Sequence, residues 1–358
     1  MKSLYPFTLV VSFFWAVHFP AHAAFTSFRV FGDTLSAATV NSPVGPDFYG
    51  DRWSNGRVWV EVLAQQAGLA FSLAGNTNAY FGNTSSNLFA ETSAYIPPAD
   101  ASNALVVVWV NNADLYYPAG ESPPTLAHFT NVINVALTNQ YRAITNLYGK
   151  GIRTLLMPNV VDISTIPQFN TDHTYTNLFH QVSTNYNASF SAMLNKARTN
   201  YPSLNLVSPD FYSLLGNMLT QPAAYGVTNA LQNGLSIDAY STLSPLSLTN
   251  GPGTNYIFWH PFNPTAKVHS IMASIAQQLV SPVQMTNIVA FTGSNRLDVL
   301  NMPVGLNGFV DGVTNLALTS WTSQKSFNST NTTQSVFVTS AGPQWFYRLR
   351  FPYAWTWP

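Results

Sequence analysis

Thr34, within the stretch Phe31-Gly32-Asp33-Thr34-Leu35-Ser36, places a hydroxyl directly behind a short apolar run, Ser27 to Phe31. A hydroxyl at a sharp strand-to-helix turn can attack an acyl carbon when three further parts are present. These are a base to take its proton, a carboxylate to orient that base, and donors for the oxyanion. Other chemistry-bearing side chains are sparse. Past the first segment the histidines are His128, His173, His180, His260 and His269, and none has a metal-ligand spacing such as H-x-x-x-H. His173 and His180, in a polar region, read as solvated. The carboxylates are too scattered for glycosidase-type pairing, and no glycine-rich phosphate loop is present. The chain has no cysteine, which removes thiolate zinc sites, disulfides and a thiol nucleophile. No metal and no cofactor are expected.

The elements that must hold Thr34 are legible as alternating strands and helices. Arg57 to Gly68 has apolar residues at helical spacing and a terminal glycine. Ala104 to Val110, ALVVVWV, is a continuous apolar run suited to a strand buried on both faces. Phe129 to Tyr148 is amphipathic and is closed by Gly-Lys-Gly; Ile152 to Met157 reads as the next buried strand. Thr176 to Asn200 is helical, Leu204 to Val207 a strand, and Thr265 to Leu279 a final helix. This alternation predicts an α/β fold with a parallel sheet between two helical layers. The site is expected beyond the carboxyl ends of the strands, where Thr34 stands. After Pro282 the segments shorten and become rich in Thr and Val, the pattern of a small antiparallel β module.

Of 358 residues, 46% are hydrophobic, enough for a large core. Only 8% are charged and the net charge is zero, so a nucleic-acid partner is excluded for want of a basic stripe. Lys2, the apolar run Leu4 to Val17 and Ala21-His22-Ala23 read as a secretory signal with its cleavage site. The expected organisation is a signal peptide at 1–23, an α/β domain at 24–281 and the β-rich module at 282–358. A secreted or envelope location follows, with no membrane span after signal removal.

Six blocks in order carry a resemblance to the SGNH (GDSL-type) lipase and acylhydrolase family. With serine at 34 the first would read FGDSLS. The others are YGDRWSNGRVWVEVLAQQAGL (Tyr49 to Leu69), NAYFGNTSS (Asn78 to Ser86), VVVWVNNADL (Val106 to Leu115), LLMPNVVDISTIPQF (Leu155 to Phe169) and YIFWHPFNPTAKVH (Tyr256 to His269). QPAAYGVTNA is similar to a further family segment. The resemblance implies a three-layer α/β/α domain and ester hydrolysis. It puts Thr34 at the nucleophile position and Gly82 at the oxyanion glycine. Ungapped, His260 falls on the orienting carboxylate and Asn263 on the base histidine. In the third block Asp114 keeps its place, Asn111 falls on a glycine and Ala113 on the oxyanion asparagine; a one-residue slip makes Asn112 the donor. Asp33 and Asp114 stand next to the site.

Two readings follow. In the first, the catalytic positions are degenerate: Asn263, a neutral amide, cannot act as a general base, and the Thr34 hydroxyl merely bonds a nearby backbone group. His260 is then a satisfied histidine in a polar surface loop, and the old cleft holds an acyl-ester or carbohydrate-ester ligand. In the second, the chain is an active secreted esterase with Thr34 as nucleophile and, after a compensated shift in the last block, His260 as base. The tail, VDGVTNLALTSWTS and then QWFYRLRF, resembles a short C-terminal β module of exported bacterial proteins.

Overall fold

The computed structural model describes residues 25–38, 45–72, 77–120, 123–170, 173–243, 253–318, 320–339 and 345–352. The expected signal peptide at 1–23 lies outside the described residues. In chain order the first elements are β1 (Ser27–Gly32), α1 (Trp59–Gln66), β2 (Thr77–Ala79), α2 (Ser85–Ala94), β3 (Ala104–Trp109), α3 (Asn111–Ala119) and α4 (Leu126–Gly149). They are followed by β4 (Thr154–Leu156), α5 (Pro167–Asn170), α6 (Thr176–Asn200), β5 (Asn205–Val207) and α7 (Phe211–Thr220). A hairpin of β6 (Leu231–Gln232) and β7 (Leu235–Ser236) leads to α8 (Ala239–Thr242). The pair β8 (Phe258–His260) and β9 (Asn263–Pro264) then leads to α9 (Ala266–Val280).

The five strands β2-β1-β3-β4-β5 form one sheet in that order, and every pairing is parallel. All six residues of β3 are buried, as its apolar run requires when helices cover both faces. On one side α1 packs along α9, and Phe211 at the start of α7 meets Trp59 of α1 edge-on at 5.5 Å. On the other side α2 packs on α4 and α4 on α6. The domain is thus a three-layer α/β/α sandwich. Thr34 begins a single 3-10 turn, Thr34–Ser36, just past the carboxyl end of β1.

Gly32, the last residue of β1, is a packing requirement. A Cβ there would lie 2.8 Å from the Ser36 Cβ and 3.2 Å from the Ala79 Cβ. The tight 3-10 turn and the neighbouring strand therefore leave space only for hydrogen.

Beyond α9 come β10 (Gln284–Phe291), β11 (Ser294–Leu300), β12 (Asn307–Val313), β13 (Thr322–Asn328), β14 (Thr333–Thr339) and β15 (Phe346–Arg350). They form two three-stranded antiparallel sheets, β10-β11-β14 and β13-β12-β15, around a small core that includes Leu297, Val299, Val310 and Val336. Buried Asp311 binds Arg348 and Arg350 there. These sheets are clasped to the α/β part. The Val304 N–H donates to the Gln66 carbonyl (3.0 Å), and the Gln277 amide donates to the Asn301 carbonyl (3.0 Å). No helix among the described residues is long and apolar enough to cross a membrane.

Candidate functional site

Asp33 organises the turn. Its Oδ1 accepts from the Leu35 N–H (2.9 Å) and caps the 3-10 turn, while its Oδ2 accepts from the Ala113 N–H (3.2 Å) in the first turn of α3. Burial pushes the Asp33 carboxyl up to about 7, against these two backbone donors. The expected bond from the Thr34 hydroxyl to a nearby backbone group is absent among the described residues. Asp33 supplies the local side-chain bond in its place, and Thr34 stays partly exposed.

The second block reaches the turn from β2. Gly82 has a positive φ of 82°, a backbone that disfavours any side chain, and a Cβ there would lie 3.0 Å from the Tyr117 hydroxyl. Asn83, which no motif in the sequence singles out, is the clamp. Its amide donates to the Gly32 carbonyl (3.0 Å) and to Glu91 Oε1 (3.1 Å). The only signal for it was its place beside Gly82.

The third block runs from β3 into the start of α3, which Asn111 and Asn112 open. Asn111 donates to the Pro158 carbonyl (2.9 Å). Asn112 is fully buried: its Oδ1 accepts from the Val161 N–H (3.2 Å), and its Nδ2 has no partner among the described residues. Asp114 Oδ1 accepts from the N–H and the hydroxyl of Ser85, both at 3.0 Å, and burial pushes this carboxyl up to about 7 as well. Asp114 thereby ties α3 to the first turn of α2.

The last block folds back as the pair β8-β9, with His260 opposite Asn263, and β9 packs against the Thr34–Ser36 turn. The Ser54 hydroxyl donates to the Pro264 carbonyl (3.0 Å), and Asn55 Oδ1 accepts from the Ala266 N–H (2.7 Å). The Ser-Asn-Gly segment thus anchors this block. Asn263 is buried with Oδ1 unpartnered among the described residues. His260 is not in a polar loop. Its ring lies 5.2 Å from Trp53, 5.6 Å from Tyr240, 5.7 Å from Phe48 and 5.9 Å from Phe262. Its Nδ1 is buried without a partner among the described residues. Burial lowers its pKa, and the charge of Asp238 opposes that shift. Among the described residues no imidazole hydrogen-bonds the Thr34 hydroxyl.

Thr34, Gly82, the Asn111–Asn112 start of α3 and the His260–Asn263 pair therefore come from four segments that bonds and packing gather around the end of β1. Two other histidines differ from expectation or add to it. His180 is exposed yet bonded: its Nδ1 lies 2.6 Å from Asp162 Oδ2. His269, on α9, is wholly buried, and burial lowers its pKa to about 3.

This frame of a parallel sheet, a tight post-β1 turn and a second glycine is the frame of an ester-hydrolase fold. The GDSL-like Lipase/Acylhydrolase family pattern matches residues 29–276, and the chain belongs to that family. A GDSL esterase/lipase of Arabidopsis thaliana is 26% identical over 148 residues, 39% of this chain and 40% of the relative. A second from the same plant is 23% identical over 212 residues, 52% of this chain and 54% of the relative. The chain spans about half the length of these curated relatives, or less. Among solved structures, a lipolytic G-D-S-L family protein from Veillonella parvula has a TM-score of 0.38 at 12% identity, covering 71% of this chain and 97% of that one. A GDSL-like lipase from Bacteroides thetaiotaomicron has a TM-score of 0.37 at 13% identity, covering 71% and 86%. The family match carries the membership; these superpositions do not.

Proposed function

We propose that this chain is an exported GDSL-family protein, with its domain boundary near residue 281, whose hydrolytic relay is disarmed and whose cleft binds an ester-like ligand. The observation that carries the reading is the setting of His260. Its ring is packed among Phe48, Trp53, Tyr240 and Phe262, and it makes no hydrogen bond to Thr34. Asn263, at the position the family resemblance gives to the base, has no proton-accepting nitrogen near neutral pH. A hydroxyl without a base is a poor nucleophile, and loss of one relay member costs on the order of 10⁴ to 10⁶ in rate.

One observation favours the second reading, an active esterase with Thr34 as nucleophile and His260 as base. Burial lowers the His260 pKa, and the charge of Asp238 pulls against that shift, the direction in which an orienting carboxylate would act. Initial rates on nitrophenyl acetate and butyrate decide between the two. The disarmed reading expects wild type, Thr34→Ala and His260→Ala to be alike and close to the uncatalysed rate. Clear wild-type turnover that is abolished by both changes overturns it.

A further inference from the structure

Beside the last block lies an open cavity of about 640 Å³ that no step of ester hydrolysis uses. One wall is the β6-β7 hairpin, whose turn residue Asn233 has a φ of 54° before Gly234. The opposite walls are α5 and α8. Its neutral polar lining is Gln168, Asn170, Gln232, Asn233, Ser236, Ser241 and Thr242, all amides and hydroxyls. Among the described residues no Lys or Arg lines it. The one carboxylate among its described lining residues, Asp238, is occupied as a helix cap, accepting from the Ser241 N–H at 2.7 Å.

The cavity is built, and it touches the candidate site. Asn170 is 5% exposed. Its Nδ2 donates to the Ser236 carbonyl (2.8 Å) and hydroxyl (2.6 Å), which fixes the amide. Its Oδ1 is then left buried without a partner among the described residues. A buried amide oxygen without a donor is costly. The Gln168 N–H donates to the Pro261 carbonyl (3.1 Å), and Pro261, which lines the cavity, follows His260 in the chain. On the same short helix as Ser241, Tyr240 is 39% exposed and stacks on Phe48 at 5.5 Å.

We infer that this cavity is a subsite for a neutral carbohydrate. Vicinal hydroxyls both donate and accept, and they match a lining of amides and hydroxyls. Tyr240, the chain neighbour of the lining residue Ser241, adds an exposed ring with an apolar face and a polar edge, suited to the C–H face of a sugar. An anion has no cation to meet, and an alkyl chain would leave the amides unpaired. The inference goes beyond the reading of the relay, and each can fall alone. Ester turnover would sink the disarmed relay and leave the subsite standing, whereas missing sugar binding would do the reverse.

The test is calorimetric titration of the full chain with cellohexaose, xylohexaose and mannohexaose, with octanoate as the alkyl control. At least one hexasaccharide is expected to bind, and octanoate is not. Gln168→Ala with Gln232→Ala is expected to weaken that binding about tenfold, the worth of one or two neutral hydrogen bonds. Both side chains are exposed, so the melting temperature should hold. Tyr240→Ala is expected to weaken binding similarly. Absence of binding for all three sugars at about 10 mM, a regime of very weak affinity, overturns the inference. Binding that is indifferent to all three substitutions, or tighter for octanoate, also overturns it.

Discussion

The Oδ2 atom of Asp33 accepts the backbone N–H of Ala113 at 3.2 Å, so the residue before Thr34 fixes the third block of the site. Asp33 is buried, and its pKa is raised to about 7. Asp114, next to Ala113, is raised to about 7 from 3.8 as well. A folded carboxyl raised above its unfolded value binds more protons than the unfolded chain between those two pH values. Its contribution to stability is therefore complete below about pH 4 and is lost as pH rises through about 7. At 1.36 kcal/mol per unit, one such group accounts for at most about 4 kcal/mol. Asp114→Asn is expected to flatten the decline in stability between pH 5 and 8 relative to wild type. Urea denaturation across that range measures it, and identical slopes would count against burial as the cause.

His269 predicts the opposite slope at acid pH. It is buried and lowered to about 3 from 6.5, so the unfolded chain binds the proton first. Stability is lost as pH falls from about 6.5 towards 3. His269→Gln should remove that acid-side loss while keeping a polar group of similar reach. Thermal melts at pH 4 and 7 check the difference between variant and wild type.

Glu61 closes the start of α1. Its Oε2 accepts from the Val58 N–H (2.9 Å) and from Arg52 Nε (3.1 Å), with little exposure on either side of the ion pair. Glu61→Ala leaves the Arg52 charge without its partner and is expected to cost about 3–5 kcal/mol. Glu61→Gln still accepts from Val58 and should cost less. Equal losses for the two in urea titrations would contradict the ion pair's role.

Thr34→Ser alone is expected to leave nitrophenyl ester turnover within about twofold of wild type, because a serine hydroxyl needs the same base. Adding Asn263→His tests whether the β9 position faces that hydroxyl. A gain of more than about tenfold from the pair, with none from Thr34→Ser, places a competent imidazole there.

The sheet was legible in the sequence because its central strands are continuous apolar runs. ALVVVWV became β3 with every residue buried, and Thr176–Asn200 became α6 with the bounds its periodicity gave. Thr77–Ala79 was not legible: Thr-Asn-Ala has no strand pattern, and pairing with Val30–Gly32 makes it one. Around the site, each block announced itself locally, and the bonds between blocks did not. The rings around His260 come from separate segments, at Phe48, Trp53, Tyr240 and Phe262, so no local pattern could predict them. The His180–Asp162 contact likewise joins a helix to a turn that sequence order separates.

The bond from the Val304 N–H to the Gln66 carbonyl has a kinetic consequence. It closes a span of 238 residues (304 − 66), and so long a loop carries a high closure entropy before any contact compensates it. The clasp therefore belongs late on the folding route, after the α/β core has formed. Interactions absent from the transition state act on the escape rate. Shortening Gln277, whose amide makes the companion bond to Asn301, should speed unfolding and leave the refolding rate where it was.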